Sequence, residues 1–304
     1  MSTFTIHTLG CGSAKPSLRH NPSSTIINYR ENLFMIDCGE GSQLEMQRQH
    51  LKFSRLRHIF LTHLHGDHCF GIPGLICSLS LLNKGGHITI HTFKEGIDMF
   101  KHILNYFNRD SAIEVDFHEI KVEEAIVYED KAITIRTIPL KHRVPTVGYI
   151  FEEKPKLRHI KRDMVDFHNV PVTQIKSIKE GKPFIKPDGT IIPSEMLTSA
   201  ATPSLSYAHI GDTAYMPDIA TKIGPVDLLY HETTYLEEDR NAATDRGHST
   251  AKQAAMIAQK CNAKQLLIGH YSSRYHNDNL FFEEAKEFFS NTILNKEGLT
   301  IALD

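Results

Sequence analysis

The 304-residue chain reads as an α/β fold in a single domain spanning residues 1–304. Two observations predict it. Short β-prone runs at residues 4–9, 24–28, 33–36, 88–91, 132–138 and 147–151 alternate with helical stretches such as 71–82 and 250–261, and a second set of runs follows at 206–210, 228–230 and 265–268. No Gly/Ser-rich linker or low-complexity tract divides the chain, and α/β and sandwich folds reach this length as one domain. Two halves packed sheet on sheet with helices outside fit the pattern.

The chemistry-bearing run is His63, His65, Asp67 and His68 in THLHGDH, which leaves the apolar, β-prone residues 57–62. In extended chain, residues two apart point the same way, which aims His63 and His65 at one place; Gly66 lets the chain turn so that Asp67 and His68 face a second. One short segment can thereby feed two adjacent cations. Imidazole and carboxylate donors suit zinc or manganese, and no cysteine pair with finger spacing occurs. A chain with 19 histidines could carry a His-rich surface loop, but H-x-H-x-D-H after a strand is far more constrained than composition. Downstream, His142 in PLKHRVPTVGY, Asp212 in HIGDT and His270 in LLIGHYSSRY are further candidates. Asp212 has the best context of these, an apolar run entering a Gly-flanked turn where one carboxylate could bridge two cations. His142 and His270 could each be an ordinary hydrogen-bonded histidine.

The net charge of −2 conceals an asymmetry. Residues 154–187 hold nine Lys and Arg, among them Lys154, Lys156, Lys176, Lys179 and Lys182, against three acids, a charge of +6 that leaves −8 elsewhere. Four prolines in this segment argue against a core βα unit and for a projecting arm. A cationic arm beside a hydrolase centre can grip a polyanion away from the scissile bond through phosphate contacts and counterion release. The plainer reading is a solvated insertion. No signal-peptide pattern opens the chain, no apolar run is long enough for a bilayer, and the five cysteines form an odd set without CxxC spacing. A cytoplasmic protein with reduced thiols and no membrane partner is expected.

THLHGDHCFGIPGL, PLKHRVPTVGY, IGDT, HET, GHST and IGHYSSRY occur in the order seen in the metallo-β-lactamase superfamily, and from HTLGCGSAKP to the last strand the chain resembles the bacterial tRNase Z family within it. The resemblance implies an αββα four-layer sandwich with a protruding basic arm at about 154–187. It implies two Zn2+ per subunit, with Mn2+ as the alternative: His63, His65 and His142 on one ion, Asp67, His68 and His270 on the other, and Asp212 bridging them. The activity implied is removal of the 3′ trailer from precursor tRNA by a homodimer, leaving a 3′-hydroxyl on the tRNA. Water activated between the ions would attack the phosphodiester, with Asp67 as proton acceptor.

Other positions follow from the same likeness. His248 in GHST resembles the family histidine proposed for leaving-group assistance, although such a run also starts and caps a helix. Glu232 in HETTY is expected to orient that histidine or a ligand. Asp37 and Glu40 in IDCGEG are expected to support the ligand segment, and Arg274 is the preferred core contact to substrate phosphate. EEKP, IKSIKEGKP and PDGTII resemble the family's tRNA-binding exosite, while its Gly-Pro element has no counterpart in Val170, Pro171, Val172, Thr173 and Gln174. Flavodiiron oxidoreductases carry Glu in place of His65 and classical β-lactamases Cys in place of Asp212, so both fit poorly. The alternative function is hydrolysis of small phosphodiesters or other esters on the same fold. A nucleic-acid-binding protein with relic ligands is a third, against which the intact Asp67 and Asp212 argue.

Overall fold

The computed structural model describes residues 4–82, 86–108 and 113–304. These form two compact units, the smaller comprising Lys131–Ile133 with Glu152–Ser204 and the larger comprising the rest.

The larger unit opens with β1 (Phe4–Gly10), β2 (Ser24–Tyr29), β3 (Asn32–Ile36), α1 (Ser42–Arg48), β4 (Leu56–Phe60), α2 (Gly66–Cys69), α3 (Gly71–Leu81), β5 (Gly86–Thr92), α4 (Lys94–Phe107) and β6 (Ile113–Glu119). It continues through β7 (Ile126–Glu129), β8 (Ile133–Pro139) and β9 (Val147–Glu153). The smaller unit contributes β10 (His159–Ile160), α5 (Arg162–Phe167), α6 (Ile175–Lys179), β11 (Phe184–Ile185), β12 (Ile191–Ile192), α7 (Ser194–Leu197) and β13 (Thr198–Ser199). The chain then returns with β14 (Ser206–Ile210), α8 (Ile219–Ile223), β15 (Leu228–Glu232), α9 (Arg240–Arg246), α10 (Ala251–Lys260), β16 (Gln265–Gly269), α11 (Asn279–Phe288), β17 (Thr292–Leu294) and β18 (Thr300–Ala302).

Two seven-stranded sheets result, ordered β18-β1-β2-β3-β4-β5-β6 and β17-β16-β15-β14-β9-β8-β7. Alternating side chains give each sheet two apolar faces. The facing sides meet through aromatic rings: Phe34 and Phe60 of the first sheet stand 6.1 and 6.0 Å from Phe151 of the second, edge to face. On the outer side of the first sheet, Met35, Ile59 and Ile90 cluster with Met46 of α1, Ile72 and Leu75 of α3 and Phe100 of α4. On the outer side of the second, Ile150, Ile210, Leu229 and Ile268 cluster with Ile219 of α8, Ala255 of α10 and Phe281 of α11. Each such fully buried side chain contributes roughly 1.5–3 kcal/mol, and the layers are the expected αββα. No helix among the described residues is long and apolar enough to cross a membrane.

The topology prepares a site. Strands β3, β4, β5 and β6 run parallel, as do β14, β15, β16 and β17. Loops leaving the carboxyl ends of parallel strands are where open α/β sheets gather functional groups.

The smaller unit has its own core of Val165, Val170, Ile178, Phe184, Ile192 and Leu197, with Ile160 and Met164 packed against it. It is therefore longer than the basic run: residues 188–204 return to pair β12 with β11 and β13 with β10. Gly189, at φ +85°, makes the β11–β12 turn, where Asp188 Oδ1 accepts from Thr190 N at 2.9 Å. The cations of this unit are not equivalent. Lys176 and Lys182 are exposed, whereas Lys154 and Lys179 are half-buried. Lys156 is engaged within the unit by Glu153 Oε2 at 2.6 Å and the Pro203 carbonyl at 3.2 Å.

Candidate metal centre

The segment that leaves β4 is shaped by its neighbours. The chain bends at Thr62 after β4 ends at Phe60, and His65, at φ −71° and ψ 148°, is the extended residue before the single helical turn α2. Asp67 and His68 therefore project from a helical turn rather than an irregular loop. Gly66 is required for space: a Cβ there would lie 2.4 Å from the Phe70 ring. A Cβ at Gly39 would lie 2.6 Å from the Asp67 carbonyl oxygen, which is how the turn after β3 comes to pack under the ligand segment.

Four strand ends converge on this segment. His63 Nε2, His65 Nδ1, His142 Nε2 and Asp212 Oδ2 form one group, with His65 Nδ1 3.0 Å from His63 Nε2 and 3.3 Å from His142 Nε2. Asp212 Oδ2 is 3.7 Å from His63 Nε2 and 3.8 Å from His142 Nε2. Asp67, His68 and His270 form the second: His68 Nε2 and His270 Nε2 are 3.3 Å apart, and each is 3.6 Å from Asp67 Oδ2. The other oxygen of the bridging candidate, Asp212 Oδ1, lies 3.6 and 3.2 Å from these two nitrogens. All seven residues named from the sequence are thus brought together, with Asp212 presenting one oxygen to each group.

The outer nitrogens are held by a hydrogen-bond network. His68 Nδ1 donates to Asp37 Oδ2 at 2.7 Å; His63 Nδ1 donates to Thr62 Oγ1 at 3.0 Å, which in turn donates to Asp37 Oδ2 at 2.8 Å. His270 Nδ1 donates to Thr234 Oγ1 at 2.9 Å and Thr234 Oγ1 to Glu232 Oε2 at 2.7 Å, while His142 Nδ1 donates to the Gly247 carbonyl at 2.8 Å. With Nδ1 protonated, four Nε2 lone pairs face inward, the arrangement that carboxylate–imidazole pairs impose on metal ligands. Asp212 Oδ1 is buried with no hydrogen-bond partner. Converging lone pairs and an orphaned carboxylate oxygen are costly alone and fit two divalent cations, whose tetrahedral ligands stand about 3.3–3.6 Å apart. His270 adopts φ +66°, a left-handed conformation rare for a non-glycine, pinned by Tyr271 N donating to the Cys11 carbonyl at 3.0 Å.

The electrostatics are those of a buried charged cage. Burial holds His63 well below the usual imidazole range, reinforced by His68. Burial would raise Asp67 and Asp212, but the surrounding His68 and His270 hold both carboxylates well below the usual range. Asp67 Oδ2 also accepts from Ala14 N at 2.7 Å. Burial opposes charge on His248, yet Glu232 and Asp212 outweigh it and push this imidazole up to about 9.

His248 and Glu232 sit beside the centre. His248 Nδ1 donates to Glu232 Oε1 at 3.0 Å, and the same oxygen accepts from Ser249 N at 2.9 Å and Thr213 N at 3.2 Å. The helix-start reading of GHST holds as well: Thr250 caps α10 in a capping box with Gln253. His248 lines a cavity of about 240 Å³ together with His65, Asp67, Asp212, Arg143 and Arg246. Arg274 is not among the residues that line that cavity: it pairs with Asp239 at 3.2 Å and lies over the ring of Tyr235, which does line it. Arg143 and Arg246 stand at the cavity instead, neither carrying a motif that singles it out. Glu40 is exposed, and Asp37 is the supporting acid. The lysines named from the basic run belong to the other unit and are described with it above.

The chain is similar to known proteins along its whole length. The family model described as anti-Pycsar protein Apyc1 matches residues 4–157, and the beta-lactamase superfamily domain matches residues 165–271. A ribonuclease Z of Bacteroides thetaiotaomicron is 45% identical, covering 100% of this chain and 96% of that one; a ribonuclease Z of Porphyromonas gingivalis is 47% identical over 100% of both. The chain belongs to the ribonuclease Z family. Its fold is also that of the human tRNase Z short form, at 23% identity and a TM-score of 0.72 over 99% of each chain. Membership in the ribonuclease Z family makes it a hydrolytic nuclease with a metallo-β-lactamase fold.

Proposed function

We propose that this ribonuclease Z relative is a zinc-dependent endoribonuclease that removes the 3′ trailer from precursor tRNA. The carrying observation is the pair of ligand groups sharing Asp212, found in a chain that matches ribonuclease Z relatives from end to end. Five imidazoles and two carboxylates suit zinc, with manganese as the alternative, His63, His65 and His142 holding one ion, Asp67, His68 and His270 the other, and Asp212 both. When bound, the ions acidify water and offset charge on the phosphoryl oxygens.

The chain's own groups do the rest. Asp67, kept ionised and fixed by the Ala14 N–H, is oriented to accept the proton of the attacking water. His248, anchored through Nδ1 to Glu232, gives a proton to the departing 3′-oxygen. The bond from phosphorus to that oxygen breaks, leaving a 3′-hydroxyl on the tRNA and a 5′-phosphate on the trailer. Arg143 and Arg246 at the cavity supply charge for the phosphates. Lys154, Lys176, Lys179 and Lys182 of the smaller unit provide a sequence-independent grip on tRNA. We assign the enzyme to the cytoplasm, as a homodimer.

The test is cleavage of a precursor tRNA carrying a 3′ trailer, with zinc or manganese, by this protein and by Asp67→Ala, mapping the product ends. A cut at the acceptor-stem boundary that leaves a 3′-hydroxyl and vanishes in the variant supports the reading. An inert precursor with brisk hydrolysis of a simple phosphodiester would overturn it in favour of a small-substrate hydrolase.

A further inference from the structure

Outside the dinuclear centre a second kind of ligand cluster stands in the larger unit. Cys11 Sγ lies 3.4 Å from His20 Nδ1 and 3.6 Å from Glu297 Oε1, and His20 Nδ1 lies 3.2 Å from Glu297 Oε2. On the far side of the ring, His20 Nε2 meets Asp278 Oδ2 at 2.9 Å. If Nε2–H donates to Asp278, the Nδ1 lone pair points at a sulfur and a carboxylate, again the pattern that fixes a histidine for a metal. The Sγ–Nδ1 and Sγ–Oε1 separations are close to the ligand–ligand edges of a tetrahedral zinc site, roughly 3.3–3.6 Å, and one ligand atom from each of the three residues lies within 4.8 Å of the others. The Cys11 thiol is fully buried and faces oxygens, the Glu297 carboxylate at 3.6 Å and the Asn295 carbonyl at 3.9 Å, rather than purely apolar surroundings.

We propose that Cys11, His20 and Glu297 form a third, mononuclear divalent-cation site with a thiolate ligand, which takes zinc and serves as a structural clamp. Binding ionises the Cys11 thiol and releases the proton lying between His20 and Glu297. The residues tie together the segment 11–20 and the end of the chain, with Asn21 N donating to Glu297 Oε1 at 2.9 Å. That segment touches the dinuclear centre twice. The Cys11 carbonyl accepts from Tyr271 N next to His270, and Ala14 N donates to Asp67. A cation here would therefore fix the backbone on which one ligand's conformation and the orientation of Asp67 depend.

Sulfur makes the test selective, because neither group of the dinuclear centre contains a cysteine. The intact protein is stripped with chelator, reloaded with Co2+, and its near-ultraviolet spectrum recorded beside metal content per chain after Zn2+ reloading. The expected result is a sulfur-to-cobalt charge-transfer band that is lost in Cys11→Ser and in His20→Ala but kept in Cys69→Ser, and one fewer zinc per chain in the first two. Glu297→Gln, which preserves shape and hydrogen bonding, should lower the cobalt affinity read from this band about tenfold or more. Absence of the band in the wild-type protein at saturating Co2+, or its survival in folded Cys11→Ser, would overturn the proposal. The wild-type spectrum decides it even where a variant fails to fold, and neither readout depends on the substrate.

Discussion

Asp37, just past the end of β3, accepts a 2.7 Å hydrogen bond from His68 Nδ1 in the turn α2, and the same carboxylate receives both the hydroxyl and the backbone N–H of Thr62. One buried acid thereby orients His68 directly and His63 through Thr62.

Replacing it should be felt as lost metal affinity. Asp37→Ala is expected to weaken metal binding about 10–100-fold, the usual effect of removing a ligand's supporting partner, and to destabilise the fold by roughly 1–3 kcal/mol because Thr62 N is orphaned. Titration against a competing chelator, with urea unfolding alongside, checks both. Unchanged affinity in a folded variant would mean that the histidines are held by packing alone.

Glu232 serves the other half of the centre. It receives Thr234, which holds His270, and it anchors His248. His248→Ala should lower kcat about 10²–10⁴-fold with metal content intact if it transfers a proton. Glu232→Gln should lower both kcat and metal content, since it disturbs a ligand as well. Equal metal loss in the two variants would contradict this division of roles.

The smaller unit should govern substrate affinity and its salt dependence. Replacing Lys176, Lys179 and Lys182 together by Ala is expected to raise KM for precursor tRNA, leave kcat for a small activated diester within about twofold, and flatten the log–log salt slope by about 0.7–0.9 for each phosphate no longer engaged. Binding measured across a salt series reads the last quantity directly. A salt slope equal to that of the wild type would show that these lysines do not meet phosphate.

Stability should depend on pH through His91, a buried histidine outside the ligand groups. Burial first, then His58 and His118, pushes His91 down to about 2; its ring stacks on Phe60 at 4.2 Å. The unfolded chain titrates this group near 6.5, so its contribution is complete above that pH and is lost as pH falls from about 6.5 toward 2. The slope is about 1.4 kcal/mol per pH unit below about pH 6. His91→Phe, which can keep the stack, should remove that much of the slope between about pH 6 and 5. Urea midpoints at the two pH values measure it, and parallel slopes in both proteins would refute it.

Much of the centre is legible in the sequence because its spacing is local. H-x-H-x-D-H following a buried run names four ligands, and the turn geometry of α2 only refines how they project. The edge strands β6, β7, β17 and β18 and the short helices α1, α8 and α9 carry no comparable signal, whereas α4 and α11 are amphipathic at the helical period. The identity of the former is set by what they pack against. The basic run is visible as charge, but its true extent is not, because residues 188–204 carry no cationic excess and join it through tertiary contacts, the pairing of β12 and β13 and the packing of Ile192 and Leu197.

By itself, then, the sequence determined the fold class, the ligand types and the charge asymmetry, since each is a matter of local pattern or composition. Only the tertiary structure decided which oxygen of Asp212 faces which ligand group, that Thr62, Thr234 and the Gly247 carbonyl hold the imidazoles, and that Arg143 and Arg246 line the cavity. Most of those facts depend on contacts between residues tens to hundreds of positions apart. Parallel strands bring such residues together at their carboxyl ends, and no spacing along the chain records which of them will meet.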